Sequence, residues 1–509
     1  MKTILDYLEA SAAAHPDKIL FADESEAISY KDFTNKARAV GTCLSHIGVR
    51  HAPIAVLMEK SVRNLVAMMG VAYSGNFYVV VDVHMPAERI CTILNTLNPA
   101  ALFTEKAQLE QVKTLPYDGP VIAFEEAAAI SPDDAVLEAI HADCIDTDPL
   151  YTLFTSGSTG VPKGTVVCHR SVIAYAKWVR DTFSIGSDTV LGNQTPFYFS
   201  MSVLDIFTTM LAGATMHIIP KAYFSFPVKL FHFLQERQVN TIYWVPSALS
   251  IVANMKTFDY LTLPALRKVL FAGEVMPTKQ LNVWISHLPG VLFANLYGPT
   301  EVTDICSYYV VDRPFADDEP LPIGRHCDNC DLLILTEDGR LAGDGEVGEL
   351  CVRGSFLASG YYNNPEKTAE VFIQNPLNSH YPEIIYKTGD LVRTNERGEL
   401  IYVSRKDFQI KHMGYRIELG EVEAAVSAIE GVAACVCIYD ASREKIVLIY
   451  EGAELDKREI AALARKKLPE YMMPGKIILV THIPHNGSGK IDRAFLKTNY
   501  TSLEKQEEV

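Results

Sequence analysis

The sequence predicts an α/β protein with a large N-terminal domain and a small α+β C-terminal domain. Three observations carry this prediction. Apolar strands alternate with amphipathic helices in the first half, short glycine-punctuated strands follow Gly345, and a compact helix–strand unit begins near Asp407. Alternation of buried strands with helices is typical of a parallel sheet covered by helices. The predicted domains are residues 1–406 and 407–509.

The first half supplies the helices and strands of the large domain. The opening segment has the spacing of an amphipathic helix that ends before Pro16. "IAVLM" at residues 54–58 predicts a buried strand, and the following helix is expected to begin at its N-cap Ser61 and end near Gly75. Further strand–helix–strand units run from "ATMHIIP" to "TIYWVP" and from "KVLFAGE" to "VLFANLYG".

Shorter strands and a final helical unit make up the rest. "GELCVRG", "IIYKTGDLV" and "GELIYVSRKD" predict a small, twisted β subdomain at the end of the large domain. In the last unit, Gly431 is expected to stop a helix and Asp456 to cap the next one. The first of these helices is predicted from four apolar residues at helical spacing, namely Val422, Ala425, Val426 and Ile429.

Composition limits the classes of function. The net charge of −16 disfavours a nucleic-acid partner, because phosphate backbones are bound by clustered positive charge. No apolar run approaches the roughly 20 residues of a membrane span, and the first residues lack the pattern of a signal peptide. The ten cysteines show no disulfide framework, and "RHCDNC" has no second pair at zinc-finger spacing. We therefore expect a cytoplasmic protein without a membrane partner.

A glycine-rich segment, "TSGSTGVPKG" at residues 155–164, is poor in helix and strand formers. Glycine lets backbone amides approach a ligand closely, hydroxyls add donors, and Lys163 adds a positive charge. The segment differs from a Walker loop, because Gly164 rather than Ser or Thr follows the lysine. It predicts a cradle for phosphate oxygens, and the alternative on composition alone is a flexible linker.

Five further segments follow the glycine loop in order along the chain. They are "NLYGPTE" (295–301), "YKTGDL" (386–391), "SRKDFQIKHMGYRIE" (404–418), "LPEYMMP" (468–474) and "NGSGKIDR" (486–493). With these motifs the sequence resembles the acyl-adenylate-forming superfamily across nearly its whole length. That superfamily includes adenylation domains of nonribosomal peptide synthetases, acyl-CoA synthetases and luciferases. The likeness extends to stand-alone amino-acid adenylating enzymes such as D-alanine–carrier protein ligase.

The resemblance implies two half-reactions with ATP and Mg²⁺ as cofactors. A small carboxylic acid first attacks the α-phosphorus of ATP, and a thiol then takes the acyl group from the adenylate. The thiol belongs to the phosphopantetheine of a carrier protein, or to coenzyme A in the alternative of an acyl-CoA ligase. Because no carrier motif follows Arg493, we expect the carrier to be a separate protein. A catalytically silent nucleotide- or acyl-binding regulator is the alternative of another class.

The resemblance also implies roles for individual residues. Glu301 is expected to hold Mg²⁺, and Thr300 to touch the α-phosphate. Lys490 is expected to bridge the substrate carboxylate and the α-phosphate, carried by a mobile C-terminal domain that turns about a hinge at Asp407. The expected nucleotide-binding residues are Thr155, Ser156, Gly157, Ser158, Thr159, Gly160, Lys163, Gly273, Glu274, Asn295, Tyr297, Gly298, Asp390 and Arg405. Among these, Tyr297 is expected to stack on adenine and Asp390 to accept the ribose hydroxyls.

The expected acid pocket departs from the family pattern in two places. Ser200 replaces the aspartate that pairs with the α-ammonium group of an amino acid, so either the acid lacks an α-amino group or its ammonium is met elsewhere. Asp304 introduces a carboxylate that either pairs with a differently placed amine or points past the pocket to solvent. The expected pocket residues are Ser200, Met201, Leu204, Tyr243, Leu270, Ala272, Leu296, Asp304 and Ile305.

Overall fold

The computed structural model describes residues 1–157, 162–406, 409–485 and 491–503. Five residues with expected roles lie outside this part of the chain: Ser158, Thr159, Gly160, Asp407 and Lys490. Their roles stay predictions from the sequence.

The strands are bounded as follows: β1 (Ile19–Ala22), β2 (Ala27–Ser29), β3 (Pro53–Leu57), β4 (Phe77–Val81), β5 (Ala101–Thr104), β6 (Val121–Ala123), β7 (Pro149–Thr155), β8 (Lys163–Cys168), β9 (Val190–Asn193), β10 (Thr215–Ile218), β11 (Thr241–Trp244), β12 (Lys268–Phe271), β13 (Leu292–Tyr297), β14 (Ser307–Val310), β15 (Arg325–His326), β16 (Cys330–Leu335), β17 (Gly348–Gly354), β18 (Gly360–Tyr361), β19 (Phe372–Gln374), β20 (Ile384–Thr394), β21 (Leu400–Arg405), β22 (Gln409–His412), β23 (Tyr415–Glu418), β24 (Val432–Asp440), β25 (Lys445–Gly452) and β26 (Lys476–Leu479).

The α-helices are bounded as follows: α1 (Ile4–Ala14), α2 (Tyr30–Ser45), α3 (Val62–Tyr73), α4 (Ala87–Leu97), α5 (Leu109–Val112), α6 (Phe124–Ala127), α7 (Asp134–Asp143), α8 (His169–Thr182), α9 (Ser202–Ala212), α10 (Pro227–Glu236), α11 (Pro246–Asn254), α12 (Thr278–His287), α13 (Pro365–Val371), α14 (Leu419–Ser427), α15 (Lys457–Ala464) and α16 (Arg493–Leu503). No helix in the described ranges is both long and apolar enough to span a bilayer.

Two large sheets confirm the predicted α/β class. Among the described residues, one sheet has nine strands in the order β15-β14-β13-β12-β11-β9-β10-β1-β2, and another has seven in the order β18-β8-β7-β4-β3-β5-β6. The pairs β9–β11, β11–β12 and β12–β13 are parallel. Every residue of β3 and β4 is buried, as expected where helices cover both faces of a parallel sheet.

Several local predictions are confirmed by the observed ends of the elements. Helix α3 begins after Ser61, whose hydroxyl accepts a hydrogen bond from the Asn64 amide at 3.3 Å. The helix ends at Tyr73, and Gly75 follows with a positive φ of 71°, a conformation that glycine adopts without a steric penalty. The predicted β subdomain is the sheet in which β16, β17, β20 and β19 are neighbours and β21 pairs with β20.

The described chain divides into two compact units. The large unit contains Met1–Val83, Leu97–Leu153 and Gly164–Lys406. The small unit gathers His84–Thr96, Phe154–Lys163 and the described residues of Asp407–Val509. The predicted domains at 1–406 and 407–509 stay predictions, because the small unit also takes in all of α4 except its last residue, together with the flanks of the glycine-rich loop.

The small unit contains the predicted α+β elements, with one correction. Helix α14 ends at Ser427, so the prediction that Ile429 lies in this helix and that Gly431 stops it is wrong. The chain tightens at the helix end, where the Ile429 amide donates to the Val426 carbonyl at 2.9 Å. Ile429 still packs on the apolar core of the unit, which explains its helical spacing in the sequence. Asp456 caps α15 as predicted, accepting from the Arg458 amide at 2.9 Å.

A buried histidine ties α1 to α8 in the large unit. His169, the first residue of α8, is 4% exposed, and its Nδ1 accepts a hydrogen bond from the Ile4 amide at 3.3 Å. Only an unprotonated ring nitrogen can accept this bond. Burial lowers the pKa of His169 to about 4 from its ordinary 6.5. Histidine at this position is therefore neutral in the folded protein at neutral pH.

This histidine predicts a pH dependence of stability. Because the folded pKa lies below the unfolded one, its contribution is present above about pH 6.5 and is lost as the pH falls toward about pH 4. Between pH 7 and pH 5 we expect the unfolding free energy to fall by about 2 kcal/mol from this group. His169→Asn keeps an acceptor for the Ile4 amide but has no group that titrates in this range. Its unfolding free energy, measured in urea, should therefore lack the part of the decline that His169 contributes. His232→Asn changes an exposed histidine of α10 and should keep the full decline. Equal declines in wild type and His169→Asn would contradict the assignment.

Candidate active site

The end of β13 and the β20–β21 pair bring together three of the expected nucleotide residues in the large unit. Tyr297 donates its hydroxyl to Oδ2 of Asp390, and Arg405 donates to Oδ1 of the same carboxylate at 2.8 Å. Antiparallel pairing places Asp390 directly opposite Arg405. Burial raises the pKa of the Tyr297 hydroxyl well above 10, so the phenol stays a donor. The arrangement holds a buried carboxylate in one orientation.

Asn295 lies two residues before Tyr297 on the same strand. Its Nδ2 donates to the Pro322 carbonyl at 2.8 Å, which fixes the orientation of the amide. The remaining oxygen is the kind of acceptor that reads the exocyclic amine of a base. Asn295 and Tyr297 point to the same face of the sheet, because side chains alternate along a strand.

Glu301 and Thr300 follow β13 in a short 3₁₀ turn. Glu301 is fully buried, and the Tyr361 hydroxyl donates to its Oε1 at 2.6 Å. Thr300 donates to the Ser200 hydroxyl at 3.4 Å. No group of three metal-ligating side chains occurs among the residues that the structure describes. A single oriented carboxylate fits Mg²⁺, which typically takes one or two carboxylates and completes its shell with water and phosphate oxygens.

The described flanks of the glycine-rich loop belong to the small unit. The Ser156 hydroxyl donates to the Arg416 carbonyl at 2.7 Å and accepts from the Glu418 amide at 3.2 Å, so it binds the backbone of β23. Thr155 is half-buried at the end of β7, and Lys163 begins β8. The expected phosphate contacts of Thr155, Ser156, Gly157 and Lys163 stay predictions.

Two buried charges of the small unit form an ion pair that the sequence does not predict. Arg89 of α4 donates to Oε1 of Glu421 in α14, and both side chains are 5% exposed. Burial raises the pKa of Glu421, and the guanidinium opposes that rise. The pair holds α4 against α14 within the unit.

Gly273 and Glu274 lie just after β12. Gly273 has a φ of 94°, and a side chain there would approach the Met201 sulfur to 3.2 Å. Glu274 accepts a hydrogen bond from the Ser247 amide at 2.9 Å, near the start of α11. Its carboxylate therefore stabilises a helix N-terminus, and a nucleotide contact of Glu274 stays a prediction.

Several of the expected acid-pocket residues share one face of the nine-stranded sheet. Tyr243 pairs with Leu270, and Leu270 with Ala294, so these side chains share a face, and Ala272 and Leu296 follow two positions further along. Ser200 and Met201 precede α9, and Leu204 lies within it. A Cβ on Gly298 would collide with the Asp304 carbonyl, so glycine permits close approach of β13 to Asp304 and Ile305.

Asp304, which is expected to line the pocket, is 1% exposed, so the alternative that it points to solvent is wrong. Its Oδ2 accepts hydrogen bonds from the Tyr175 hydroxyl at 2.6 Å and the Tyr243 hydroxyl at 3.1 Å. Both tyrosines are fully buried. Tyr243 is among the residues predicted for the pocket, but Tyr175 is not, because it lies in α8 and carries no local motif.

A second buried carboxylate, Asp205, lies close enough for the charge of Asp304 to act on its pKa. Asp205 is fully buried, and the Asn193 amide donates to its Oδ2 at 2.7 Å. Burial raises the pKa of Asp205 to about 8, partly opposed by Asn193 and by the ammonium group of Lys60. Lys60 donates to the Gln194 carbonyl at 3.0 Å. Neither Asp205 nor Lys60 is predicted from the sequence as a site residue.

Comparison with known proteins decides the family. Residues 8–362 match the AMP-binding enzyme family, and residues 421–490 match the AMP-binding enzyme C-terminal domain. The chain belongs to the AMP-binding enzymes. It is accordingly an AMP-forming ligase that activates a carboxylic acid as an acyl-adenylate. The predicted resemblance and enzyme class are confirmed.

Individual AMP-binding enzymes match over nearly full length. The chain is 30% identical to D-alanine–D-alanyl carrier protein ligase of Bacillus cytotoxicus, with 98% of this chain and 100% of that protein covered. It is 29% identical to zwittermicin A synthase ZmaJ of Bacillus cereus over 97% of this chain and 95% of that one. The crystal structure of IdnL1 matches with a TM-score of 0.81 and 26% identity, covering 95% of this chain and 99% of that one.

The Vibrio cholerae adenylation domain AlmE, solved with glycyl-adenosine-5'-phosphate, matches with a TM-score of 0.84 and 22% identity over 98% of each chain. At that identity the likeness shows the fold alone. Together these similarities confirm the predicted α/β architecture with a large N-terminal part and a smaller C-terminal part. They leave the roles of individual site residues as predictions.

Proposed function

We propose that this AMP-binding enzyme uses ATP and Mg²⁺ to activate an amino acid or amino-like acid, and that it loads the acyl group onto a separate phosphopantetheinylated carrier protein. One observation carries the proposal. Within residues 295–305, β13 and the turn after it carry both expected nucleotide residues and residues of the expected acid pocket. One strand and the turn that follows it can therefore orient ATP and the acid toward each other.

Nucleotide binding in this proposal depends on a buried polar cluster. Asp390, oriented by Tyr297 and Arg405, accepts the ribose hydroxyls, and the free oxygen of Asn295 reads the adenine amine. Glu301, oriented by Tyr361, holds Mg²⁺, which neutralises phosphate charge when bound. Thr300, the expected contact of the α-phosphate, donates to the hydroxyl of Ser200, an expected residue of the acid pocket, at 3.4 Å.

The first half-reaction joins two anions, the carboxylate and ATP, so positively charged groups must stabilise them. In the proposal, Lys163 approaches the β- and γ-phosphates and Lys490 bridges the attacking carboxylate and the α-phosphate. A preorganised cation at that point stabilises charge as it develops in the transition state. The hinge role of Asp407 and the motion of the C-terminal domain belong to the same proposal.

The carrier protein as acceptor is supported by the names of relatives. One full-length relative is a D-alanyl carrier protein ligase, and one structural neighbour of 21% identity is described as an adenylation and PCP protein. All ten cysteines of this chain are free thiols, which suits a cytoplasmic enzyme working in a reducing compartment. Coenzyme A as acceptor is the alternative within the same chemistry.

ATP–pyrophosphate exchange over a panel of carboxylic acids tests the proposal. We expect exchange that requires ATP, Mg²⁺ and one class of acid. Transfer of the radiolabelled acyl group to a pantetheinylated carrier protein should then exceed transfer to coenzyme A. A preference for coenzyme A would favour an acyl-CoA ligase, and absence of exchange with any acid would favour a silent binding protein.

A further inference from the structure

Asp390 lies in an irregular part of β20. The antiparallel pairing of β17 with β20 is regular on both sides of Leu350, but three residues of β20, Thr388–Asp390, stand opposite this single residue. The middle one, Gly389, has a φ of 75°, which glycine adopts without a steric penalty. A bulge of this kind bends the strand and changes the direction of a side chain. The direction of the Asp390 carboxylate therefore depends on what fixes the backbone at Gly389.

Both peptide groups of Gly389 are held by Glu349 and Lys406. The Gly389 amide donates to Oε1 of Glu349 at 3.2 Å, and the Lys406 amide donates to the Gly389 carbonyl at 2.8 Å. The Lys406 ammonium group closes the ring of contacts by donating to Oε2 of Glu349 at 3.0 Å. We call these three contacts the Gly389 clamp. All three residues belong to the large unit.

The Gly389 clamp is built around a buried charge. The Glu349 side chain is 7% exposed, and a second ammonium group, that of Lys387, lies 3.6 Å from its Oε2. A carboxylate taken out of water is costly unless it is paired and hydrogen-bonded, and two ammonium groups and one amide meet this need at Glu349. Hydrogen bonds to a charged acceptor are stronger than those to a neutral one. A neutral side chain would therefore hold Gly389 less firmly.

The residues beside Gly389 connect it to the expected nucleotide residues. The Asp390 amide donates to the Thr388 hydroxyl at 3.0 Å, and Arg405 donates to the Thr388 carbonyl at 3.2 Å. Arg405 and Tyr297 each donate to one oxygen of the Asp390 carboxylate. A carboxylate accepts about four hydrogen bonds, so these described partners leave acceptors for two hydroxyls along fixed directions. A small rotation of the backbone at Gly389 would misalign them.

We propose that Glu349 and Lys406 are positioning residues of the nucleotide site. By fixing the backbone at Gly389, they aim the Asp390 carboxylate at the two ribose hydroxyls. This inference rests on the proposed function, in which Asp390 accepts these hydroxyls, and it names what sets their recognition. Positioning residues act on the direction of a contact, so their loss should weaken discrimination between nucleotides with and without ribose hydroxyls.

Glu346 offers a matched control three positions before Glu349. It accepts hydrogen bonds from the Gly343 amide at 2.8 Å and from Arg340 at 2.6 Å, so its carboxylate also joins a glycine amide to a cation. Its side chain is 39% exposed. Glu346→Gln and Glu349→Gln therefore make the same chemical change in the same kind of contact, but only the second weakens a contact with the strand that carries Asp390.

Isothermal titration calorimetry with ATP and with its 2′,3′-dideoxy analogue, each in the presence of Mg²⁺, tests the inference without knowledge of the acid. For wild type we expect ATP to bind at least about 30-fold more tightly, because the analogue leaves a buried carboxylate without its donors. Glu349→Gln should lower this preference to about fivefold or less, by weakening the binding of ATP. Lys406→Met opens the Gly389 clamp at a side chain that is 38% exposed and should lower the preference at least about threefold. Glu346→Gln should keep the wild-type preference.

An unchanged preference in both Glu349→Gln and Lys406→Met would overturn the inference. Equal weakening of both nucleotides would also overturn it, because that result indicates a structural role alone. If Glu349→Gln does not fold, Lys406→Met decides. Equal binding of the two nucleotides by wild type would overturn the ribose assignment of Asp390 and this inference with it. Absence of pyrophosphate exchange with every acid would overturn the proposed function while leaving the nucleotide preference intact.

Discussion

Lys490→Ala is expected to lower the rate of acid-dependent pyrophosphate exchange by at least about 150-fold, equivalent to about 3 kcal/mol of transition-state stabilisation. Lys490 lies in "NGSGKIDR", outside the described residues, and its role is implied by the resemblance. A cation that meets the carboxylate and the α-phosphate acts mainly as charge develops between them. The loss should therefore fall on kcat more than on the KM for ATP.

Two comparisons make this prediction specific. Thioester formation from a pre-made acyl-adenylate should proceed at close to the wild-type rate in Lys490→Ala, because that half-reaction does not join two anions. Lys497→Ala removes an exposed lysine from α16 and should leave both half-reactions unchanged. Near-normal exchange in Lys490→Ala, or an equal loss in both half-reactions, would show that the assignment of Lys490 is wrong.

Asp390→Asn is expected to weaken both ATP binding and folding. The side chains of Asp390 and Arg405 are 3% and 9% exposed, and the substitution removes a buried charge that pairs with the guanidinium. We expect the unfolding free energy to fall by about 3 kcal/mol. In the proposed function Asp390 accepts the ribose hydroxyls, so loss of its charge should also raise the KM for ATP at least about tenfold. Urea unfolding and exchange at varied ATP concentration measure the two effects.

Asp331→Asn provides the matched control in the same sheet. Asp331 pairs with Arg353 at 2.7 Å, but the two side chains are 43% and 39% exposed, so water screens the pair. Its loss should change the unfolding free energy by less than about 1 kcal/mol and leave the KM for ATP unaltered. If Asp390→Asn and Asp331→Asn change the unfolding free energy by the same amount, the buried ion pair does not stabilise the fold. If the KM is unchanged, the ribose assignment is wrong.

Local signals in the sequence were sufficient for much of the fold. Ser61 and Gly75 predicted the two ends of α3, and "IAVLM" predicted a buried strand. These predictions are possible because a helix cap and a run of apolar residues each involve only a few neighbouring residues. Local signals also explain the wrong prediction at Ile429. Its spacing is helical, but the spacing does not show that α14 ends at Ser427. Apolar spacing reports which side chains face a core, and it does not by itself report the hydrogen bonding of the backbone.

The sequence by itself determined the chemical class of this protein, because its motifs are contiguous segments whose residue types carry the chemistry. Only the tertiary structure decided which side chains complete the site. Tyr361 reaches Glu301 across 60 positions, and Tyr175 reaches Asp304 across 129. Such contacts depend on strand order and on the packing of α8, and no single segment of sequence encodes either. Burial of Asp304 likewise arises from distant segments that exclude water around it.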